Sequence, residues 1–292
     1  MNDVGELPSP FSINKLPRFF RSIIWAVGII TPQLMALIAG YLLTITWRQK
    51  PRHGERDVLE LGRKSSLDDL SIWTWGEGPK VLLIHGWNGR VTQFGSFIQP
   101  LVEKGYQVIG FDFPGHGDSP GHSASFLELR NSITAIGKEF GPFHTILAHS
   151  AGAVVTTSAV VDGVVAGRLV YIAPPIGPSH WLDSFAYVAG IEGRVKHLMW
   201  ERFERQVGSD IDQLKLTSLS TLISAPLLVV HDVNDSWVPW SVGKELSESW
   251  TRSRIISTKG LGHHRILRSS DVCNRVTSYI EEPLSSVMEE LT

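Results

Sequence analysis

The chain contains very little cysteine: a single one, Cys273, among its 292 residues. One cysteine cannot form a disulfide within the chain, so the sequence excludes a disulfide-stapled scaffold and favours a reducing compartment such as the cytoplasm. Histidine and cysteine residues also lack the spacing of metal ligands, because adjacent residues such as His263 and His264 rarely bind the same ion. We therefore expect neither a metal nor another cofactor.

A strong charge of either sign is also missing. The formal net charge is −2, and no long run of lysine or arginine interrupts the main body of the chain. Nucleic-acid-binding domains carry a basic patch or stripe, so we expect no nucleic-acid partner. Hydrophobic residues make up 42% of the sequence, which is enough to bury a sizeable core in one large α/β domain or two small ones.

Charged residues are absent from residues 22–46. This segment is long enough to cross a bilayer core, which needs about 20 apolar residues, but Pro32 interrupts a helix near its middle. A spanning helix, two short helices lying on a membrane, and an arm packed on the soluble domain are all consistent with the pattern. Basic residues are more frequent after the segment than before it, which would leave the main domain in the cytoplasm. We predict a membrane-associated segment with a linker over residues 1–54 and a folded domain over residues 55–292.

Short apolar runs alternate with helix-length stretches from about residue 58 onward. The runs are rich in β-branched residues and leucine on both faces, which is typical of central parallel strands covered by helices. The repeated alternation predicts an α/β fold with a mostly parallel, doubly wound sheet. The predicted strands cover residues 80–85, 107–112, 144–148, 168–173, 226–231 and 254–258. The predicted helices cover residues 92–104, 126–140, 151–164, 241–250 and 270–282.

Two parts of the body depart from this alternation. Residues 58–61 and 71–75 are predicted to pair as an antiparallel edge of the sheet. Residues 174–224 contain no convincing strand but are rich in aromatic side chains. Ligands of open α/β sheets bind beyond the carboxyl ends of the strands, so we predict that this insertion is a helical lid. A surface helix pair packed on the sheet is the alternative.

The segment Ala148-His149-Ser150-Ala151-Gly152 ends one apolar run and begins another. This pattern predicts a sharp turn from strand to helix that lifts the Ser150 hydroxyl clear of the sheet and directs the first N–H groups of the helix at its target. The usual signature is G-x-S-x-G, in which small residues let the strand and helix backbones approach each other. Ala148 is the smallest possible departure from it. Alone, such a pentapeptide is a weak signal of a nucleophile.

Two further loops follow predicted strands on the same side of the sheet. The loop of residues 85–89 could direct the Trp87 N–H at Ser150, where it would form a two-donor oxyanion hole with the Ala151 N–H. The loop of residues 112–119 is interpreted as a structural turn that ends its strand.

The last two strands are followed by acids and by histidines. Asp232 and Asp235 come directly after the strand that ends near residue 231, and either could orient an imidazole or merely shape the turn. His263 and His264 follow a glycine-containing stretch. Only one of the two histidines could act as a base. We predict that His264 caps or packs against the helix after Arg268.

A serine, an acid and a histidine that each follow a strand in this order are the arrangement of the α/β-hydrolase fold. From about residue 58 to residue 280 the sequence resembles the α/β-hydrolases, in the broad group with a lipase-, esterase- or aminopeptidase-like core. The motifs that carry the resemblance are His85-Gly86, Asp112-x-x-Gly115-His116-Gly117-x-Ser119, His149-Ser150-x-Gly152, Asp235-x-x-Val238-Pro239 and Gly262-His263.

The resemblance implies a serine hydrolase in which Ser150 is the nucleophile, Asp235 the acid and His263 the base, whereas Asp232 and His264 fall outside the matching positions. The expected reaction is cleavage of a small carboxylic ester, with a lipid-like substrate as one option, through an acyl-enzyme intermediate. An acyltransferase or peptidase on the same triad and a catalytically silent, membrane-associated protein of this fold are the alternatives. Dehalogenase chemistry is disfavoured, because that branch has an aspartate where Ser150 stands. These motifs determine neither the acyl length nor the oligomeric state.

Overall fold

The structure is a computed structural model that describes residues 15–48, 50–51 and 54–283. The strands of this part of the chain are β1 (Arg63–Leu67), β2 (Leu70–Trp75), β3 (Lys80–Ile84), β4 (Gln107–Asp112), β5 (Phe143–His149), β6 (Ala166–Ile172), β7 (Leu227–Asp232) and β8 (Ser253–Thr258). They form one eight-stranded sheet in the order β1-β2-β4-β3-β5-β6-β7-β8. Strands β3 to β8 are parallel to one another, and β2 runs against both of its neighbours. The mostly parallel sheet predicted from the sequence is confirmed.

The helices of the described residues are α1 (Arg18–Ile30), α2 (Pro32–Thr44), α3 (Asp57–Glu60), α4 (Gly95–Glu103), α5 (Phe126–Phe140), α6 (Ala151–Val161), α7 (Pro178–Ala189), α8 (Gly193–Val207), α9 (Leu216–Leu219), α10 (Trp240–Ser249), α11 (Gly262–Arg265) and α12 (Ser270–Glu281). Short 3₁₀ turns cover Val91–Phe94, Ile211–Leu214, Ser220–Leu222 and Ile266–Arg268.

Side chains alternate between the two faces of the sheet, and each face has its own hydrophobic core. In β3, Leu82 and Ile84 pack into a core with α5, α6 and α10, whereas Val81 and Leu83 pack into a core with α4 and α12. Because helices cover both faces, a strand must be apolar at every position, which explains the continuous apolar runs of the sequence.

The antiparallel edge of the sheet differs from the prediction. The partner of β2 is β1 (Arg63–Leu67), and residues 57–60 form the short helix α3 instead of a strand. Strand β1 reads RKSSL and is exposed along most of its length. Polar and charged side chains are common on edge strands, where they oppose pairing with another chain. An edge strand of this kind gives no apolar signal in the sequence.

The uncharged segment of residues 22–46 forms most of two helices, α1 and α2, of 13 residues each. Pro32 is the first residue of α2, a position at which its missing N–H costs no helical hydrogen bond. No helix within the described ranges is long and apolar enough to span a bilayer, so the spanning helix considered above is not found. Instead, Met35, Ala36 and Ala39 pack in a small core with residues of α7 and α8.

Residues 174–224 lie between β6 and β7 and form helices α7, α8 and α9 with two 3₁₀ turns. The prediction that this segment contains helices and no strand is confirmed for these residues, all of which are described. Helix α8 packs against α2, and α7 packs against both α6 and α8. The segment therefore connects the amino-terminal hairpin, α1 and α2, to the helix that begins after Ser150.

Candidate active site

Ser150 lies at a sharp corner between β5 and α6. Its backbone has φ 51° and ψ −127°, and a positive φ is uncommon for a residue with a side chain. The Ser150 N–H donates a hydrogen bond to the Ile172 carbonyl, 2.9 Å away, which ties the corner to β6. The corner is therefore held in a strained conformation by the neighbouring strand.

Only glycine fits at position 152, two residues after Ser150. A Cβ atom at Gly152 would lie 2.6 Å from the His85 carbonyl oxygen and 2.9 Å from that of Ile84. Such distances are shorter than any side chain tolerates, so only glycine lets α6 begin this close to β3. Ala148 is fully buried within β5, and its methyl group belongs to the hydrophobic core that α5 and α6 cover. The departure from the usual glycine is thus accommodated.

The structure brings Ser150, His263 and Asp235 into one line of hydrogen bonds. The Nε2 atom of His263 is 2.9 Å from Ser150 Oγ, and its Nδ1 atom is 2.7 Å from Asp235 Oδ2. A carboxylate only accepts hydrogen bonds, so Nδ1 carries the proton and Nε2 of the neutral ring can accept the serine proton. These are the three residues that the sequence motifs single out.

The Asp235 carboxylate is buried and heavily hydrogen-bonded. Its Oδ1 accepts the N–H groups of Trp237 at 2.7 Å and Val238 at 3.0 Å. Burial by itself would raise the pKa of Asp235, but hydrogen bonds from His231 and His263 outweigh it and hold that pKa well below its usual range. Asp235 is therefore a carboxylate at neutral pH and well into the acid range.

Asp232 occupies a different place from Asp235. Its Oδ2 accepts the Leu261 N–H at 2.9 Å and the Thr258 hydroxyl at 2.7 Å, and its Oδ1 accepts the Asn234 N–H at 2.9 Å. Asp232 thus ties the loop after β7 to the loop that carries His263. This agrees with its interpretation as a residue that shapes the turn.

Two further histidines contact this line and were assigned no role from the sequence. His149 is buried, and its Nε2–H donates to the backbone carbonyl of His263 at 2.9 Å. Burial, aided by the nearby rings of His263 and His264, holds the pKa of His149 well below its usual value. His231 donates from Nε2 to the Val238 carbonyl at 3.0 Å and lies 3.4 Å from Asp235 Oδ2. Both contacts join residues distant in sequence or across a loop, so no local pattern signals them.

The loop after β3 passes directly beside the serine. A Cβ atom at Gly86 would lie 3.1 Å from the Cβ of Ser150. His85 fixes this loop: its Nε2 accepts the Phe113 N–H at 3.1 Å, so its Nδ1–H donates to the Gly86 carbonyl at 2.8 Å. Burial lowers the pKa of His85 to about 4 and keeps the ring neutral. Trp87 follows Gly86, which puts its backbone at the same corner.

The other predicted donor is the N–H of Ala151, the first residue of α6. The first N–H groups of a helix have no acceptor within the helix and can bind an anion. The structure therefore brings both Trp87 and Ala151 to the surroundings of Ser150.

The turn of residues 112–119 is built around Asp112. Its carboxylate accepts the N–H groups of Val91 and Asp118, both at 2.8 Å, and the Ser119 hydroxyl donates to its carbonyl. A Cβ atom at Gly117 would collide with the Asp112 carboxylate, and Gly117 has a φ of +45°. All of these contacts are internal to the loops, in agreement with the predicted structural turn.

His264 lies beside two other aromatic rings of the site. Its exposed ring is 5.0 Å from that of His263 and 5.4 Å from that of Trp237, measured between centroids. The short helix α11 carries both histidines, so the ring belongs to the surroundings of His263. That His264 also caps or packs against the helix after Arg268 stays a prediction.

Helix α7 also reaches the site. His180, which is mostly buried, donates a hydrogen bond to the Trp237 carbonyl; burial and the nearby His263 ring lower the pKa of His180. The next residue, Trp181, lies with its ring 4.2 Å from that of Trp87. Among the residues that the structure describes, no cluster of histidine, cysteine and carboxylate side chains could hold a metal ion.

Comparison with known proteins agrees with this geometry. A family model described as the alpha/beta hydrolase family matches residues 81–276, the greater part of the chain. The human serine hydrolase-like protein is 35% identical over 96 residues, which are 30% of this chain and 45% of that protein. The pimeloyl-[acyl-carrier protein] methyl ester esterase of Methylococcus capsulatus is 43% identical over 51 residues, 18% of this chain and 20% of the esterase.

This chain thus spans less than half the length of the curated relatives it matches. Among solved structures, a membrane phospholipase A has the same fold with a TM-score of 0.59 at 18% identity. That match covers 93% of this chain and 99% of the phospholipase. From its sheet, its serine corner and the family model, the chain belongs to the alpha/beta hydrolase family.

Proposed function

We propose that the protein is a serine hydrolase that cleaves a carboxylic ester at Ser150. The observation that carries the proposal is the continuous line of hydrogen bonds from Ser150 through His263 to Asp235. His263 Nε2 would take the hydroxyl proton while Ser150 Oγ attacks the ester carbonyl. Collapse of the tetrahedral intermediate breaks the bond to the alcohol, which leaves with the proton from His263 and gives an acyl-enzyme.

Water completes the reaction in a second, equivalent half. His263 removes a proton from water as the oxygen attacks the acyl-enzyme, and it returns the proton to Ser150 as the free acid leaves. Asp235 holds the ring in the tautomer with Nδ1–H and stabilises the imidazolium that forms in each half. The N–H groups of Trp87 and Ala151 would bind the oxyanion, and each such donor typically contributes about 3–4 kcal/mol to transition-state stabilisation.

An apolar cavity near the site supports an ester with an apolar acyl or alcohol part. The cavity has a volume of about 190 Å³ and lies between α2, the start of α5, α7 and α8. Trp181 lines it and contacts the Trp87 ring beside the serine. Apolar walls with few polar groups are typical of sites for hydrophobic ligands. The esterase relative is named for a methyl ester, which supports an ester as the substrate class.

In this proposal residues 174–224 are the lid. Helix α7 contributes His180 and Trp181 to the surroundings of the serine, and α8 contributes Met199 and Phe203 to the cavity wall. A substrate bound in the cavity would therefore be covered by this segment.

The amino-terminal hairpin would attach the protein to a membrane surface. Its inner side packs on α8, but its outer side exposes large apolar side chains at Phe19, Phe20, Ile23, Trp25, Ile29, Ile30, Leu34, Leu37, Ile38, Tyr41 and Leu42. Exposed apolar side chains in such number mark protein or membrane contacts. Short helices with an apolar outer side lie in the plane of the interface rather than across it. Since no helix of the described residues could span a bilayer, the flanking charges do not orient the domain, and a cytoplasmic location is supported by the low cysteine content alone.

The experiment that tests the proposed reaction is labelling with a fluorophosphonate, which reacts with activated serines, followed by hydrolysis of p-nitrophenyl esters of increasing acyl length. We expect labelling of the wild type and none of Ser150→Ala, with matching loss of hydrolysis. Labelling without turnover of any ester, but with cleavage of peptides or transfer to an added alcohol, would favour the peptidase or acyltransferase alternative. No labelling of a folded wild type would favour a catalytically silent protein.

A further inference from the structure

A second, larger cavity lies away from the serine, between α1 and the connection from α7 to α8. Its volume is about 790 Å³. Three arginines line it: Arg18 and Arg21 from α1 and Arg194 from α8. The one acidic residue in its wall is Glu192. Three positive charges against one negative charge make this a cavity for an anion.

Within the described part of the chain, no carboxylate lies within 4 Å of Arg18, Arg21 or Arg194. Some other arginines of the protein do have a carboxylate partner, as Arg90 has in Asp118 at 2.8 Å. The charge in the cavity is therefore available to a ligand.

The backbone beside Arg21 leaves room for its side chain. A Cβ atom at Gly190 would lie 2.6 Å from Arg21 Nε, which shows that the Arg21 side chain lies directly against this turn. The same Nε is buried and has no hydrogen-bond partner among the described residues. Buried donors are almost always paired, because an unpaired one loses its hydration without compensation. A ligand oxygen would supply the missing partner.

The cavity adjoins the exposed apolar side of the hairpin. Trp25 and Ile29 line it, and both belong to the outer side of α1, with 66% and 62% of their surface exposed. A ligand at this place would have its anionic group among guanidiniums and its apolar part along α1. An anionic phospholipid at the surface of a bilayer combines an anionic group and an apolar part in this way. Guanidinium groups bind phosphate through two parallel hydrogen bonds, a bidentate geometry that an ammonium group does not reproduce.

We propose that this cavity binds the phosphate of an anionic phospholipid headgroup and so fixes the hairpin on the membrane surface. The inference rests on the proposed attachment of the hairpin to membranes and is independent of the chemistry at Ser150. Bound lipid would orient α1, and through the packing of α2 on α8 it would orient the lid as well.

The test is binding of the full chain to vesicles of phosphatidylcholine, with and without phosphatidylglycerol, measured by co-sedimentation. Arg21→Lys and Arg194→Lys keep the positive charge but remove the bidentate hydrogen bonding of the guanidinium group. We expect each to lose about tenfold in affinity for the anionic vesicles, which corresponds to one hydrogen bond to a charged group. Lys15→Gln is the control, because Lys15 lies over the Tyr187 ring outside the cavity wall. Removing its charge should cost at most about fivefold.

Lysine variants that bind anionic vesicles as the wild type does would overturn the proposal, because they would reduce the arginines to general surface charge. A wild type that shows no preference for phosphatidylglycerol would overturn it too. Competition by soluble glycerol phosphate at concentrations that match the lipid would assign the cavity to a free phosphate compound instead. Fluorophosphonate labelling of the same samples reports Ser150 and the fold separately, so a failure of the hydrolase proposal remains distinguishable.

Discussion

His149 donates a hydrogen bond from Nε2 to the backbone carbonyl of His263, and the two atoms are 2.9 Å apart. His149 ends the strand that precedes Ser150, so this bond joins the strand before the proposed nucleophile to the backbone of the proposed base. The position of His263 relative to Ser150 is thereby fixed by a bond to its backbone as well as by the hydrogen bonds of its ring. Sub-ångström changes in such geometry are costly, because proton transfer needs the two atoms within hydrogen-bond reach.

His149 is thus a positioning residue. We expect His149→Phe, which keeps a ring but loses the donor, to lower kcat/KM about tenfold and to lower the free energy of unfolding by about 1–3 kcal/mol, because the carbonyl of His263 loses its partner. His149→Gln, whose amide can donate at a similar reach, should restore part of both. Equal pH profiles for the wild type and His149→Phe would show that the residue positions the base without titrating itself. Wild-type rates in His149→Phe would contradict the role.

The strained corner predicts a trade between stability and activity at Ser150. A residue held at positive φ costs about 1 kcal/mol or more, and glycine removes that cost. We therefore expect Ser150→Gly to be inactive but more stable in urea unfolding than the equally inactive Ser150→Ala, by about 1 kcal/mol. Equal stabilities of the two variants would mean that the corner is unstrained.

Asp235 and Asp232 should respond very differently to the same substitution. Asp235→Asn leaves the shape unchanged but removes the charge that holds the His263 tautomer, so we expect kcat to fall by about 10⁴-fold. Asp232→Asn weakens the contacts between two loops and should cost about tenfold or less, mainly through stability. Ester hydrolysis at matched folded fractions decides between them. The reverse order of effects would move the acid assignment to Asp232.

Acid should destabilise the protein through histidines that are buried and neutral. Burial lowers the pKa of His85 to about 4 and that of His116 to about 3, from an ordinary value of 6.5. Between pH 6.5 and about pH 4 the unfolded chain binds these protons and the folded chain does not, so stability falls as the pH falls. Each group contributes a slope of about 1.4 kcal/mol per pH unit.

His116→Asn removes one of these groups, and its amide can still donate to the Pro114 carbonyl that His116 contacts. We expect urea unfolding across this pH window to show a slope that is shallower by about 1.4 kcal/mol per unit in the variant. The same slope in both proteins would show that His116 titrates in the folded state as it does in the unfolded chain.

Gly40 offers a way to fill the apolar cavity from the hairpin side. A Cβ atom there would lie 3.6 Å from Arg202 Cδ, an ordinary contact, so a longer side chain can enter the cavity. Gly40→Leu should leave the hydrolysis of an acetate ester unchanged and lower kcat/KM for an octanoate ester about tenfold, because each excluded methylene costs about 0.8 kcal/mol. Gly40→Ala is the control, since one methyl group leaves most of the cavity open. Equal losses on both esters would show that the acyl group does not bind in this cavity.

The parallel strands and the order of Ser150, Asp235 and His263 could be predicted because both depend on local sequence patterns. The choice of Asp235 over Asp232 came from the family motif, and the hydrogen bonds now agree with it. Strand β1 was missed because an exposed edge strand carries no apolar pattern.

The contacts of His149 and His180 were not predictable in the same way. Each depends on the distance between elements that are far apart in the chain, and a lone histidine has no pattern of its own. The break at Pro32 was expected, but the division of the hairpin into an inner and an outer side was not. That division depends on the surface that α7 and α8 present to α2, which only the folded chain defines.

The small core shared by α2 with α7 and α8 has a practical consequence for truncated forms of the protein. Cutting away the hairpin would uncover Ala186, Val195 and Met199, which are buried in that core. Shortened chains would therefore expose a new apolar surface on the lid, which favours aggregation, and would lose one wall of the apolar cavity. A water-soluble variant is better obtained by placing polar residues at outward positions such as Trp25, Ile30 and Leu34, because this keeps the inner side intact.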